Sequence, residues 1–113
     1  MSVPEPRNFL QPCLLLLLRE HADHGYELVS RLRPMHDAES DSGGVYRALR
    51  QLESRGLVRS EWCTSGNGPA RRTYHLTADG VAALDAQAAE LRCVHESVGR
   101  FLERYSQRGA RVP

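Results

Sequence analysis

The chain has 113 residues, of which 41% are hydrophobic and 26% charged, and its formal net charge at pH 7 is +1. This size and composition predict a single globular domain with a modest core rather than a disordered chain. No apolar run approaches the ~20 residues of a membrane-spanning helix, and the N-terminal segment does not resemble a secretory signal, so we expect a cytoplasmic protein.

The first third of the sequence predicts two helices after a loose N-terminal segment, residues 1–10. Residues 11–21 contain a run of five leucines, and Pro12 falls in the first turn, where its missing N–H costs nothing. A break around residues 23–25 separates this helix from a second one, which Pro34 ends. Both helices should contribute to a small helical core.

The third predicted helix, about residues 42–55, carries apolar and basic side chains on opposite sides. Val45, Leu49 and Leu52 follow the i, i+4, i+7 spacing of one apolar stripe, and Gly56 is placed to end the helix. The other side carries Arg47, Arg50 and Gln51, whose side chains can form hydrogen bonds with the edges of DNA bases.

Two alternating segments around a turn-rich stretch predict a β-hairpin. "LVRSEWC" alternates before "TSGNGPA", which is rich in turn residues, and "RRTYHL" alternates after it. Three helices followed by such a hairpin give the element order of a winged helix-turn-helix domain, here residues 11–76, with the wing at about 64–72. The predicted fold is mainly α with a small β-hairpin.

A long helix follows from its N-cap Thr77, and we bound it at residues 77–108 with a tail at 109–113. Its apolar positions are spaced by three and four residues, as in a coiled coil. The winged domain is too small to bury the whole stripe, so we expect a second copy of the chain to cover it. The predicted dimer interface comprises Leu84, Ala88, Leu91, Val94, Val98, Phe101, Leu102 and Tyr105.

Positive charge is concentrated in the middle third of the chain. Residues 42–78 carry six arginines and two glutamates, residues 1–41 carry four arginines and seven acids, and residues 79–113 carry five of each. Such a local excess is typical of a face that meets a polyanion.

Cysteine and histidine spacing predicts neither a metal site nor a cofactor. Cys13, Cys63 and Cys93 form no CxxC pair, and no zinc-type motif surrounds His21 and His24. We expect small buried or half-buried thiols in a reducing compartment. The chain also has no nucleophile motif and no Gly-rich phosphate loop, so we do not expect an enzyme.

Several segments, in order, resemble the PadR family of bacterial transcriptional regulators over roughly residues 12–105. They are "HGYELVSRL", "YRALRQLESRGLV", "SEW" and "GPARRTYHLTADG", followed by the last helix. The resemblance implies a DNA-binding regulator of the smaller type, which pairs through its last helix. Repression is implied by the resemblance alone.

Each predicted DNA contact on the helices has a structural alternative. Arginine can pair with guanine and glutamine with adenine in the major groove, but both are also ordinary on an exposed helix face. Ser42, Gly43 and Gly44 offer first-turn amides to a phosphate, or simply begin the helix. Tyr26 and Tyr46 are expected to contact phosphate or to form the edge of the core.

At the wing, Asn67, Arg71 and Arg72 are expected to hold the DNA backbone or to enter the minor groove. The alternative is that the arginines pair across the strands with Glu61. The single tryptophan, Trp62, is expected in the core or at its edge rather than against an effector.

The resulting hypothesis is a homodimer on an inverted-repeat operator, with the third helix of each copy in a major groove. A flat apolar effector between the paired last helices and the first helix would release the DNA, with His95, Phe101 and Tyr105 as its lining. The alternatives are a metal- or ligand-sensing winged-helix protein and a winged-helix interaction module that does not bind DNA.

Overall fold

The computed structural model describes residues 8–35, 42–64 and 68–109. The strands form one antiparallel sheet in the order β1–β3–β2. The predicted order of three helices, a hairpin and a long last helix is confirmed. The elements are α1 (Leu10–Glu20), β1 (Asp23–His24), α2 (Gly25–Leu32), α3 (Ser42–Ser54), β2 (Val58–Cys63), β3 (Arg71–Leu76) and α4 (Ala78–Gly109).

α1 lies at the centre of the core because most of its side chains are leucines. Leu14 and Leu15 are fully buried and Leu17 and Leu18 nearly so, whereas Leu16 is 39% exposed. Burying one such side chain stabilises the fold by about 1.5–3 kcal/mol. The leucines of the neighbouring helices that complete this cluster are Leu28, Leu32, Leu49 and Leu52.

The two-residue strand β1 is the element that sequence periodicity did not predict. Asp23 and His24 pair antiparallel with β3, so the break between α1 and α2 becomes a third strand. Asp23 accepts a hydrogen bond from Arg31 (2.9 Å), which also donates to the carbonyl of Leu17 (2.8 Å). Arg31 thereby joins the last turn of α1, where a cation is favourable, to β1 and α2.

The end of α3 and the start of α4 meet in one joint. Gly56 has a φ of 77°, the left-handed conformation in which helices commonly end. Oγ1 of Thr77 accepts a hydrogen bond from the Gly80 amide (3.0 Å) and donates to the Gly56 carbonyl (2.7 Å). The terminating glycine and the N-cap are therefore both confirmed, and they are bonded to each other. We call this contact the Gly56–Thr77 joint.

α4 has 32 residues and extends well beyond the rest of the domain. At 1.5 Å per residue it is about 48 Å long, and the long axis of the whole molecule measures 71 Å. Its first turns pack on α1, with Leu84 in the core, and its later turns leave the domain.

Candidate nucleic-acid interface

α3 divides into a buried and an exposed side, as its sequence predicts. Val45, Leu49 and Leu52 are fully buried, and Ala48 is 7% exposed. The opposite side forms an exposed stripe with i, i+4, i+7, i+11 spacing, made of Gly43, Arg47, Arg50 and Ser54. Because the buried side fixes the rotation of the helix, α3 presents two arginines outward along one line.

Arg50 and Gln51 differ in how their side chains are held. Arg50 is exposed and forms no hydrogen bond or ion pair with the residues that the structure describes. Gln51 accepts a long hydrogen bond from Gln11 (3.4 Å), and Gln11 accepts another from Arg55 (3.1 Å). Arg50 is therefore more available for a base contact, whereas Gln51 would first have to leave Gln11.

The start of α3 is described only in part. α3 begins at Ser42, whose side chain lies outside the described residues. Gly43 is exposed and Gly44 is half-buried. The two glycines leave little side-chain bulk around the first turn of α3.

Two tyrosines, one on α2 and one on α3, lie where these helices meet. Tyr26, in the first turn of α2, is 75% exposed, and Tyr46, on α3, is 41% exposed. The Tyr46 ring packs on Gly25 so closely that a Cβ there would lie 2.5 Å from its Cε1. An alanine at residue 25 would therefore displace the Tyr46 ring. Tyr46 lies at the edge of the core and still presents part of its surface to solvent.

The two wing arginines lie in different environments, although the sequence predicts one role for both. Arg71 is exposed and has no partner among the described residues. Arg72 is half-buried: its Nε donates to Ser60 (2.8 Å) and its Nη2 to Glu53 on α3 (3.1 Å). The predicted backbone contact therefore fits Arg71 better than Arg72. The third predicted wing contact, Asn67, lies outside the described residues.

The alternative pairing of the wing arginines with Glu61 is wrong. The strand register sets Glu61 opposite Thr73, while Arg72 lies opposite Trp62 and points to the other face of the hairpin. Glu61 instead contacts His75 (2.9 Å) and, more distantly, Arg59 (3.9 Å).

Trp62 departs most from the sequence prediction. We expected it in the core or at its edge, yet it is 67% exposed. β2 runs past the end of the core: Val58 is buried, and Trp62, four residues later on the same face, extends beyond it. Arg72 lies against the indole, with its guanidinium carbon 5.8 Å from the ring centre, and 5.7 Å from the ring centre of Tyr74.

α2, α3 and the wing surround an open cavity of about 640 Å³, which we call the α3–wing groove. Tyr74 lies in its wall and is only 4% exposed. Burial, together with nearby Glu53, raises the pKa of the Tyr74 phenol despite the opposing effect of Arg72. The groove is lined by His24, Gly25, Tyr26, Glu27, Tyr46, Trp62, Arg71, Arg72 and Tyr74.

The predicted dimer stripe is exposed over most of α4, but not at its first member. Leu84 is 8% exposed and packs in the core of its own chain, so its assignment to the dimer interface is wrong. The reason is that α4 still lies on α1 at this point. Ala88 and Leu91 are half-buried. The remaining members are exposed by about half or more: Val94 51%, Val98 49%, Phe101 66%, Leu102 52% and Tyr105 65%.

The predicted effector-lining residues lie on the same exposed part of α4. Phe101 and Tyr105 stack, with ring centres 6.3 Å apart and planes inclined by 10°. His95 is exposed and lies six residues, about 1.7 helical turns, before Phe101. Two of the three cysteines, Cys63 and Cys93, are exposed, which corrects the prediction of buried or half-buried thiols for them; Cys13 is buried.

Residues 8–35, 42–64 and 68–109 contain neither a cluster of metal-ligating side chains nor a helix suited to span a membrane. No three histidine, cysteine, aspartate or glutamate side chains in these ranges are arranged to hold a metal ion. No helix in them combines the length and the apolar character needed to cross a membrane.

A helix with an exposed arginine stripe, set beside a β wing and held by two supporting helices, defines a winged helix-turn-helix DNA-binding protein. Solved structures of PadR-type regulators superpose on it. The PadR family transcription regulator from Clostridium difficile R20291 is 25% identical, with a TM-score of 0.76 over 84% of this chain and 99% of that chain.

Two further structures agree. The PadR-like transcriptional regulator from Bacillus cereus strain ATCC 14579 is 26% identical, with a TM-score of 0.73 over 82% of this chain and 90% of that one. The PadR family transcriptional regulator from Eggerthella lenta DSM 2243 is 30% identical, with a TM-score of 0.67 over 80% of each chain. No curated protein matches the chain.

The family model of the transcriptional regulator PadR-like family matches residues 14–86, more than half of the chain. The chain therefore belongs to the PadR-like family of transcriptional regulators. It is a DNA-binding transcription regulator rather than an enzyme, and the family and fold predicted from the sequence are confirmed.

Proposed function

We propose that this regulator binds an inverted-repeat operator as a homodimer and represses transcription from it. In each copy, α3 enters a major groove, and the wing contacts the backbone or minor groove beside it. The observation that carries this proposal is the exposed stripe of α3, which places Arg47 and Arg50 on one line facing away from the core. That is the arrangement with which a recognition helix meets base edges.

Residues around α3 supply the proposed contacts to the DNA phosphates. Tyr26 and Tyr46 flank the helix on the side of the groove, and Arg71 is exposed at the edge of the wing. The first turn of α3, with Gly43 and Gly44, offers backbone amides to a further phosphate. Such contacts fix the register of the protein on the duplex without reading the sequence, so specificity in this proposal depends mainly on Arg50 and Arg47.

The exposed stripe of α4 supports the homodimer. From Val94 to Tyr105 its apolar side chains repeat with spacings of three and four residues and are largely uncovered in the single chain. Monomeric proteins rarely leave so long an apolar surface in water. Pairing two α4 helices buries it and sets the distance between the two copies of α3, which should fit half-sites about one helical turn apart.

An effector site between the paired helices stays part of the proposal. Phe101 and Tyr105 belong to the stripe and His95 lies beside it, so a flat apolar molecule held there would contact the dimer seam rather than α3. Its effect would be to change the angle between the two winged domains.

Binding of the purified protein to DNA tests the proposal. Duplexes selected from a randomised pool should bind well above a mixed-sequence duplex, at two chains per duplex. Affinity should fall with salt, with a log–log slope of about −5 or steeper, because several phosphates are neutralised per dimer.

The variant Arg50→Ala should weaken binding to the selected duplex by about 1–3 kcal/mol and relax the preference at one base pair. Arg100→Ala is the matched control, since Arg100 is exposed on α4, bonds only to Ser97 among the described residues (3.3 Å) and carries the same charge. Equal losses in the two variants would show that Arg50 contributes only general positive charge. An affinity that does not change with salt concentration would contradict the proposed phosphate contacts.

A further inference from the structure

We propose that Trp62 is a DNA-contacting residue, whose indole packs against a deoxyribose of the strand that lies along the α3–wing groove. The inference rests on the proposed DNA-binding mode and adds to it a residue that carries no charge and makes no phosphate contact.

Its position places Trp62 between the cations expected to hold that strand. Trp62 lines the α3–wing groove together with Tyr26 and Tyr46. Arg71 is exposed and also lines the groove. Its neighbour in sequence, Arg72, lies directly opposite Trp62 across the hairpin. On the other side, Arg50 lies one helical turn after Tyr46 on α3, and Tyr46 lines the groove. In the proposed binding mode, a strand that contacts both Arg50 and Arg71 crosses the groove beside Trp62.

The chemistry of a DNA strand matches a groove that carries both arginines and an apolar aromatic ring. Its backbone presents anionic phosphates and largely apolar sugars in turn, so a groove that holds it needs cations and apolar surface side by side. Arg71 and the tyrosine hydroxyls suit phosphate, whereas the face of an indole suits the carbon surface of a sugar. An exposed tryptophan in the middle of a basic face is otherwise unfavourable in water.

The indole is held in place before DNA arrives. Arg72 stacks on it and is itself fixed by hydrogen bonds to Glu53 (3.1 Å) and Ser60 (2.8 Å); Ser60 in turn donates to Glu53 (2.7 Å). This network connects the wing directly to α3. A side chain that is already ordered loses little conformational entropy on binding, so its contact area contributes more fully to affinity.

Fluorescence tests the inference on the unmodified protein, because Trp62 is the only tryptophan in the chain. With 67% of the residue exposed, its emission should be readily quenched by acrylamide in the free protein. Addition of a duplex that the protein has selected from a randomised pool should reduce this quenching. A duplex that binds while acrylamide quenching stays unchanged would overturn the inference and leave the proposed function intact.

Substitution gives an independent test. Trp62→Ala should weaken binding to selected and mixed-sequence duplexes alike, by roughly 5-fold or more, which is the lower end of the range for base–aromatic stacking. Trp62→Phe should retain most of the affinity. The salt slope should not change in Trp62→Ala because no charge is lost, whereas it should become shallower in Arg71→Ala.

The circular dichroism spectrum and melting temperature of Trp62→Ala, measured beside the affinities, separate a binding effect from unfolding. A folded Trp62→Ala that binds as tightly as wild type would overturn the inference alone. A wild-type protein that binds neither kind of duplex would overturn the proposed function as well, so the two failures are distinguishable.

Discussion

Replacing Gly80 by alanine tests whether α3 and α4 are rigidly joined. A Cβ at Gly80 would overlap the carbonyl oxygen of Leu57 and press on the Leu76 side chain. The Leu76 side chain can turn away, but the Leu57 backbone cannot. Its amide donates to the carbonyl of Leu52 (3.0 Å), and its carbonyl accepts from the amide of Thr77 (3.1 Å). The start of α4 would have to move off the end of α3.

The expected cost follows from two opposing effects. Overpacking commonly costs 1–3 kcal/mol, and the upper end, about 3 kcal/mol, is expected here because the obstructing atom is hydrogen-bonded backbone. Alanine is favoured over glycine within a helix by about 1 kcal/mol, which offsets part of this. The net loss of about 2 kcal/mol corresponds to a melting temperature lower by roughly 10 °C for a domain of this size.

Thermal unfolding followed by circular dichroism, at one fixed protein concentration, measures the change. Gly99→Ala is the matched control, because Gly99 lies in the same helix with no atom within 4 Å of its would-be Cβ. This variant should melt at the same temperature as wild type or higher. If Gly80→Ala also melted at or above the wild-type temperature, the close packing of Gly80 on Leu57 would not exist in the folded protein.

Two further predictions concern the last helix and the wall of the α3–wing groove. Val98→Asp should convert the proposed dimer to a monomer in size-exclusion chromatography with light scattering, because a carboxylate would be buried between the paired helices. Ala89→Asp is the control and should stay dimeric, since residue 89 is exposed on α4 away from the apolar stripe. A wild-type protein that runs as a monomer at micromolar concentration would contradict the pairing. In an absorbance titration, one of the four tyrosines should ionise above the usual pKa of 10.0, and Tyr74→Phe should abolish that component. Because folding raises the pKa of Tyr74, its neutral form stabilises the fold below pH 10, and this contribution is lost as the pH rises further. Alkaline pH should therefore destabilise the wild type more than Tyr74→Phe. Equal losses of stability in the two proteins would refute this prediction.

The helices could be predicted because their signals are local. The leucine run of α1, the stripe of α3 and the Gly56 and Thr77 termini depend on residues a few positions apart, and each appears as expected. β1 could not be predicted in this way. Two residues show no periodicity, and Asp23 and His24 become a strand only because β3 lies beside them.

The misplaced side chains share a different cause. Alternation along β2 predicts which face of the hairpin Trp62 occupies, but not where the core beneath that face ends. Leu84 shows the converse error: its place in the apolar stripe of α4 is correct, yet α1 still covers it. Arg72 was assigned by composition as a cation near the wing tip, whereas its partner Glu53 comes from α3, 19 residues earlier. Such tertiary contacts cannot be deduced from neighbouring residues alone.

The Gly56–Thr77 joint gives the proposed dimer a route from α4 to the DNA. The residue that ends α3 accepts a hydrogen bond from the residue that caps α4 (2.7 Å), and Gly80 in the first turn of α4 packs against the carbonyl of Leu57, the residue that follows Gly56. A tilt of one α4 against its partner should therefore carry α3 with it, rather than being absorbed by a flexible linker. Because half-sites must match the spacing of two α3 helices, a small change in the angle between paired α4 helices would be enough to lower operator affinity. An effector at the seam would then control DNA binding without contacting α3, whereas the Arg72–Glu53 contact would keep the wing aligned with the helix during the movement.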